Sequence, residues 1–515
     1  MAQLRSLPAT CDLSLPLSRK LISNAPAMIR KVSLLGFALF SMTVFAADRD
    51  TDRLIQEALK PSPLEANLYH LTDEVGGRVP GTPAMQRAVE WGVTAFKAAG
   101  ADSVHTEEFT MPFSWAEGAT EMVVSSVHAQ FRPRLVSIAW APALAPVKHA
   151  RIVDVGRGKA EELAKAGDVS GKILLVHSEV LKTWADLFQE YMDPGPIIDF
   201  AVKNKAAAIG FTATREHDIL YRHTNSASGE IDRIPMALLA REDSERIARL
   251  IAGGEQVYAD LSIPNHIGGP IKTWNVVAEI RGSDKPDEFV VLGAHLDSWE
   301  LGTGALDNGC NSALVVDALR AIKASGVTPR RTIRFILFSG EEEGLLGSRA
   351  YVVAHRAELD RAAGVVIFDA GTGRTTDFST GGRTDVMPAL QPVLAAFDQF
   401  GGVKLAPSAD AGTDNLDFLF EGVPTFVADQ AEANYLENYH AISDTYDKVD
   451  FGQLKKHVAE AATLSIALAN LPQHVGPRLE RAQIEQTMHD SHLEDELKGM
   501  GMWEEWVNGT RGRAK

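Results

Sequence analysis

The sequence predicts an α/β fold: a mixed, largely parallel sheet flanked by helices, with a β-rich segment inserted into it. Three observations lead there. Short apolar runs at Phe289–Leu292, Thr332–Phe338 and Gly364–Phe368 have the length and composition of buried strands. Each run ends in residues that carry chemistry: His295 and Asp297 after the first, Glu341-Glu342-Glu343 after the second, Asp369 after the third. Between residues 113 and 264 the texture changes to short β-type runs broken by Gly and Pro, without such clusters. In open α/β sheets ligands bind beyond the carboxyl ends of the strands. Three strands here bring imidazole and carboxylates to one edge.

Taken in order, residues 1–47 contain a basic stretch, Met28-Ile29-Arg30-Lys31, then an apolar run from Val32 to Phe45 and a small-residue site near Ala46. This reads as an upstream extension and a secretory signal peptide cleaved near Ala46, with Met28 a second start site. The run is short for a membrane span. Secretion or periplasmic export follows, with no membrane attachment after cleavage. Residues 48–112 open the main domain with two amphipathic helices around the Gly/Pro-rich turn Glu74–Pro83, the second running from about Met85 to Ala99 and stopping at Gly100. Thr106–Met111 reads as a strand. Residues 113–264 form the insertion, with strand-like runs at Ala150–Val155, Gly171–Val176 and Ala207–Phe211. The main domain resumes over 265–475. Thr273–Ile280 and the His295 strand are joined there by a hairpin-like turn at Gly282–Pro286, and a helix runs from about Asn311 to Ala324. Residues 476–515 are charged and helical. Leu479, Ile484, Met488, Leu493, Leu497, Trp503 and Trp506 make an apolar stripe suited to docking on the protein itself.

The 515 residues carry a formal net charge of −17, which argues against nucleic acid or anionic membrane surfaces as partners. Two cysteines are present, Cys11 and Cys310. Cleavage near Ala46 leaves only Cys310, so no internal disulfide contributes and stability comes from the core.

Taken singly, a histidine at a strand end, an acidic helix start or an aspartate in a glycine-rich loop each has a purely structural explanation. Taken together, His295, Asp307, the Glu341-Glu342 pair, Asp369 and the distant His440 supply two imidazoles and at least three carboxylates, mostly at one sheet edge. Carboxylates that close repel one another, and divalent cations remove that penalty. Imidazole and carboxylate without thiolate favour Zn2+. Five ligands exceed what one catalytic zinc uses and suit two metals sharing a carboxylate and a bridging water.

The segments Gly293–Ser298, Gly304–Gly309, Glu341–Leu345 with Gly347-Ser348, Phe368-Asp369 and Tyr439–Thr445 resemble those of the M28 co-catalytic zinc peptidases, in particular the carboxypeptidase Q branch with its signal peptide and inserted protease-associated domain. The resemblance spans roughly residues 50 to 472. It implies a zinc-exopeptidase, phosphorylase/hydrolase-like fold, two Zn2+ per subunit and short peptides as substrate. By the same resemblance Asp307 bridges the metals, His295 and Asp369 complete one site, and Glu342 and His440 complete the other. Glu341 is the general base, Asp297 orients the His295 imidazole, Tyr439 stabilises an oxyanion, and the Asp307-Asn308 bond is cis. Asp444 supports the His440 loop, and a homodimer is expected. Glu343 and Cys310 depart from the usual pattern, Cys310 standing where smaller residues are familiar.

The resulting expectation is a di-zinc exopeptidase, aminopeptidase-type favoured. A carboxypeptidase acting on acidic C-terminal residues is the nearest alternative and requires a cationic pocket, supplied by Arg374, Arg383 or another residue. A glutaminyl cyclase with one zinc and a non-catalytic receptor-like homologue are more distant alternatives. The full ligand set counts against both.

Overall fold

In the computed structural model, which describes residues 49–225, 228–409 and 411–514, the strand Lys285–His295 lies inside an eight-stranded sheet. The segment expected to be a signal peptide lies outside the described residues. The sheet order is Ser103–Met111, Ile271–Ile280, Arg331–Phe338, Lys285–His295, Ala362–Ile367, Thr425–Gln430, Thr375–Ser379, Lys404–Ala406. Pairings from Arg331–Phe338 through Lys285–His295 and Ala362–Ile367 to Thr425–Gln430 are parallel. Ile271–Ile280 joins antiparallel to Ser103–Met111 and Arg331–Phe338, and Thr375–Ser379 joins antiparallel to Thr425–Gln430.

Burial on both faces explains the continuous apolar run of the central strand. Val290, Leu292 and Ala294 pack into the core shared with the helices Pro83–Ala99, Cys310–Ser325 and Phe451–Asn470. Phe289 and Val291 point the other way, into the core with Tyr351, Val352 and Phe418. Register then aligns the strand ends. His295 pairs with Phe338, just before Ser339-Gly340-Glu341, and Gly293 pairs with Ile367, so Asp369 falls level with His295.

Two local expectations are corrected. Gly282–Pro286 is not a hairpin turn, because Arg331–Phe338 lies between the two strands it joins, antiparallel to one and parallel to the other. The N-terminal part of the main domain holds three helical segments rather than two: 49–58, Leu64–Tyr69 continuing as the π-turn His70–Val75, and Pro83–Ala99. Pro83 at the first helical position and the Thr82 hydroxyl, which accepts the Met85 N–H, start the last of these. Gly100, at φ 93°, ends it in a conformation that costs other residues strain.

The segment between residues 114 and 263 builds a second eight-stranded sheet. Its central strands Leu144–Asp154, Ile173–Val176, Ala208–Thr212 and Met236–Leu239 run parallel. Apolar clusters such as Leu174, Ile209 and Leu238 on one side, and Ile173, Leu175 and Ala208 on the other, fill its two faces. A short ribbon pairs Ser114–Ala116 with His266–Gly268, holding the entry and exit of this segment together. The tail helices Arg481–Asp490, Leu493–Gly499 and Trp503–Asn508 dock through Ile484, Met488, Leu493, Leu497 and Trp506 onto Leu345, Leu416, Leu419 and Phe420. A buried ion pair, Arg511 Nη2 to Asp417 Oδ2 at 2.6 Å, secures its end. Among the described residues, no helix is long and apolar enough to cross a membrane.

Candidate metal centre

His295 ends its strand with the imidazole 1 % exposed. Its Nδ1 lies 3.0 Å from the main-chain oxygen of Asp297, so a proton on Nδ1 leaves the Nε2 lone pair facing outward. Nε2 is 3.2 Å from Asp307 Oδ1 and 2.9 Å from Asp369 Oδ1. His440 repeats the arrangement. Its Nδ1 is 3.0 Å from the main-chain oxygen of Arg222, and its Nε2 is 3.3 Å from Asp307 Oδ2 and 2.8 Å from Glu342 Oε2. His295, Asp307 and Asp369 thus form one group able to hold a cation, and Asp307, Glu342 and His440 a second, with Asp307 in both.

The loop that presents Asp307 is built from several directions. The N–H groups of Leu306 and Asp307 donate to the Asp444 carboxylate at 2.7 and 3.2 Å. Asp444 therefore supports the Asp307 loop. Beneath the loop lies Arg78, fully buried. Its guanidinium donates to the carbonyls of Leu296 at 2.7 Å, Thr303 and Gly304 at 2.9 Å, and Gly76 at 3.1 Å. A Cβ on Gly309 would sit 2.5 Å from the Gly304 oxygen, which is why glycine closes this loop. The Asp307-Asn308 peptide is cis. Cys310 is buried one turn further on, its thiol donating to the Leu306 carbonyl at 3.3 Å.

Glu341 and Glu342 follow the strand Arg331–Phe338 through a tight turn. Ser339 N–H donates to Asn275 Oδ1 and Glu342 N–H to Asp297 Oδ2. Glu341 Oε2 is 4.0 Å from His295 Nε2, beside both groups and belonging to neither. The Asp297 carboxylate is 3.7 Å from His295 Nδ1, so its main-chain carbonyl makes the shorter approach to the imidazole and its carboxylate orients Glu342. Asp369 is held by the Thr413 hydroxyl, and its carbonyl accepts from Tyr435 Oη at 3.2 Å. Tyr439 stacks on His440 with ring centres 3.7 Å apart.

Buried carboxylates crowd this region and raise one another's pKa. Burial, opposed by His295 and reinforced by neighbouring carboxylates, holds the Glu341 carboxyl well above its ordinary range. Glu342, beside Asp307, is raised for similar reasons, and Glu343, buried against Asp297, is raised too. Burial also pushes Asp414 up to about 8. Burial disfavours the charged form of Asp307 as well, but the His295 and His440 imidazoles outweigh it and keep this carboxylate low. Asp307 Oδ2, Glu342 Oε1 and Asp369 Oδ1 are buried without a hydrogen-bond donor. Imidazole lone pairs and carboxylate oxygens facing each other at about 3 Å are the donor set of a zinc site.

The structure thus brings the sequence-predicted His295, Asp297, Asp307, Glu341, Glu342, Asp369, Tyr439 and His440 into one region. Arg78, Tyr435 and Arg222 are not legible as site residues in the sequence. Arg78 sits in a Gly/Pro turn with no local signal, and Arg222 contributes through its main chain. Arg374 donates to the carbonyls of Thr375 and Gly402, and Arg383 pairs with Asp385, so both are engaged outside this site.

Residues 275–465 match the sequence profile of Peptidase family M28. Carboxypeptidase Q of Rattus norvegicus is 26% identical over 412 residues, covering 78% of this chain and 84% of that protein. The crystal structure of a peptidase M28 precursor from Shewanella amazonensis SB2B superposes with a TM-score of 0.76 at 26% identity, over 84% of this chain and 99% of that one. The fold is shared with BSAP, a zinc aminopeptidase from Bacillus subtilis, at a TM-score of 0.61 and 18% identity, over 81% of this chain and 97% of that one. The chain is thus a peptidase whose residues 275–465, with histidine and carboxylate groups gathered at the end of a mixed sheet, match Peptidase family M28.

Proposed function

We propose that the protein is a di-zinc exopeptidase that hydrolyses dipeptides or short peptides, with cleavage of the aminopeptidase type. The observation that carries this reading is the sharing of Asp307. Its two oxygens face the separate imidazoles of His295 and His440 at 3.2 and 3.3 Å, so one carboxylate serves two cation sites. Asp369 would complete the first site and Glu342 the second. Bound zinc would polarise the scissile carbonyl and make water acidic near neutral pH. Glu341, beside both ligand groups and outside each, accepts a proton from the attacking water and returns it to the leaving amine. Asp297 keeps His295 and Glu342 in place, and Tyr439 donates a hydrogen bond to the developing oxyanion.

The charge around the site supports aminopeptidase chemistry. Arg215 is engaged by Glu190 and by the Tyr439 carbonyl, and Arg222 by Glu117 and Glu300. Arg78 is engaged by carbonyls. These cations are already paired, while acidic surroundings suit a substrate ammonium group. The inserted segment is proposed as a protease-associated domain that roofs the cleft, the N-terminal segment as a signal for secretion or periplasmic export, and the chain as a homodimer. Two measurements test the central reading. Glu341→Gln should lower kcat by at least about 10²-fold, at the lower end of general acid–base contributions, with zinc content unchanged. A dipeptide blocked at its carboxyl end should be cleaved and one blocked at its amino end should not. The reverse preference would establish the carboxypeptidase reading, which the name of the Rattus norvegicus relative favours.

A further inference from the structure

The inserted segment reaches into the site with one helix, Trp184–Met192. Thr183 and Asp186 start it with a reciprocal capping box, so its direction is set locally. Trp184 and Tyr191 are seven residues apart and share a helix face. Across from them Tyr435 and Tyr439, four residues apart, lead into His440. Trp184 stacks on Tyr435 with ring centres 5.5 Å apart, and the phenol oxygens of Tyr191 and Tyr439 are 2.8 Å apart. The segment also grips the His440 loop through its main chain. Arg222 N–H donates to the His440 carbonyl, Ile442 N–H donates to the Leu220 carbonyl, and Arg215 Nη2 donates to the Tyr439 carbonyl at 3.1 Å.

The two phenols have two hydroxyl hydrogens between them, and their mutual hydrogen bond uses one. Among the described residues neither phenol oxygen has a second hydrogen-bond partner. One O–H is therefore left to point at a ligand. Both rings are half-buried, so the pair borders the cleft, and Tyr439 is the member stacked on His440. Building on the proposed peptidase reading, we infer that Tyr191 is a positioning residue: it donates to Tyr439 Oη and turns the Tyr439 hydrogen toward the substrate oxygen that gains charge. A hydroxyl that accepts one hydrogen bond becomes a better donor in the next. The inserted segment thus supplies half of a two-tyrosine donor.

The test is a double-mutant cycle on the full zinc-loaded chain, with an unblocked dipeptide as substrate and a phosphinic dipeptide as a probe of tetrahedral-oxyanion binding. Tyr191→Phe should lower kcat about 10-fold with KM unchanged and zinc content intact, and should weaken phosphinate binding by the same factor in calorimetry. Tyr439→Phe should lower kcat about 10²-fold, as loss of an oxyanion donor does. Adding Tyr191→Phe to it should change nothing further. Unchanged kcat and phosphinate affinity in Tyr191→Phe, a rise in KM alone, or additive losses in the double variant would overturn the inference. A wild-type protein that cleaves no peptide would overturn the peptidase reading instead. The phosphinate cycle would then still decide whether Tyr191 acts through Tyr439.

Discussion

Arg78→Lys isolates the contribution of the guanidinium beneath the Asp307 loop. Arg78 donates to four carbonyls, those of Gly76, Leu296, Thr303 and Gly304, at 2.7–3.1 Å, and has no exposed surface. Burial lowers its pKa to about 10, partly offset by Asp444 and Asp297, so it stays charged at neutral pH. Lysine keeps the charge but carries its donors on one nitrogen, which cannot span the same fork. About two carbonyls lose their partner. At about 1–3 kcal/mol for each unsatisfied buried group, the loop loses roughly 3 kcal/mol of local stability. At about 1.4 kcal/mol per decade, this corresponds to roughly 10²-fold faster amide exchange. Hydrogen–deuterium exchange with mass spectrometry, on peptides covering residues 296–309, reads this directly, because local opening need not involve the rest of the fold. Exchange within about 3-fold of wild type, equivalent to under about 1 kcal/mol, would refute the reasoning.

Three further outcomes are expected. Metal analysis should find Glu342→Ala and Asp369→Ala each retaining one zinc more readily than the other, whereas Asp307→Ala, which removes a ligand from both groups, should lose both. Burial pushes Glu460 up to about 7 from its ordinary 4.5, and its carboxyl accepts the Thr375 hydroxyl at 2.6 Å. Because the folded pKa is the higher, the stability tied to this group is full below pH 4.5 and is lost as pH rises through about 7. Glu460→Gln should therefore flatten the fall in stability between pH 5.5 and 8.5 by about 2 kcal/mol, read from melting temperatures at the two ends. Arg511→Leu leaves Asp417 buried without its partner, which costs about 3–5 kcal/mol. The tail beyond residue 476 should then be cut faster in limited proteolysis, with residues 51–475 left resistant.

Much of the site is legible in the sequence, because a metal ligand must be a particular residue type at a place where the backbone can deliver it. The apolar runs before His295, Glu341 and Asp369 mark buried strands, and parallel register then brings their ends level without any side-chain information. Asp307 stands out because glycines surround it. The apolar stripe of the tail likewise predicts docking, and Ile484, Met488, Leu493 and Trp506 are buried as that pattern requires.

Other features depend on chain segments far apart in sequence. The turn at Gly282–Pro286 resembles a hairpin, and only the later strand Arg331–Phe338, by inserting between its arms, decides otherwise. Arg78 binds Leu296, Thr303 and Gly304, more than 200 residues away, and nothing near Arg78 encodes those partners. His440 is oriented by a main-chain oxygen of the inserted segment, at Arg222, and Tyr439 meets Tyr191 from the same segment. Local sequence determined the strand ends, the candidate ligand types and the helix caps, since propensity, capping and burial act within a few residues. Tertiary structure decided which carbonyl fixes each imidazole and which phenol faces which, since a hydrogen bond needs about 3 Å in space and sets no limit on separation along the chain.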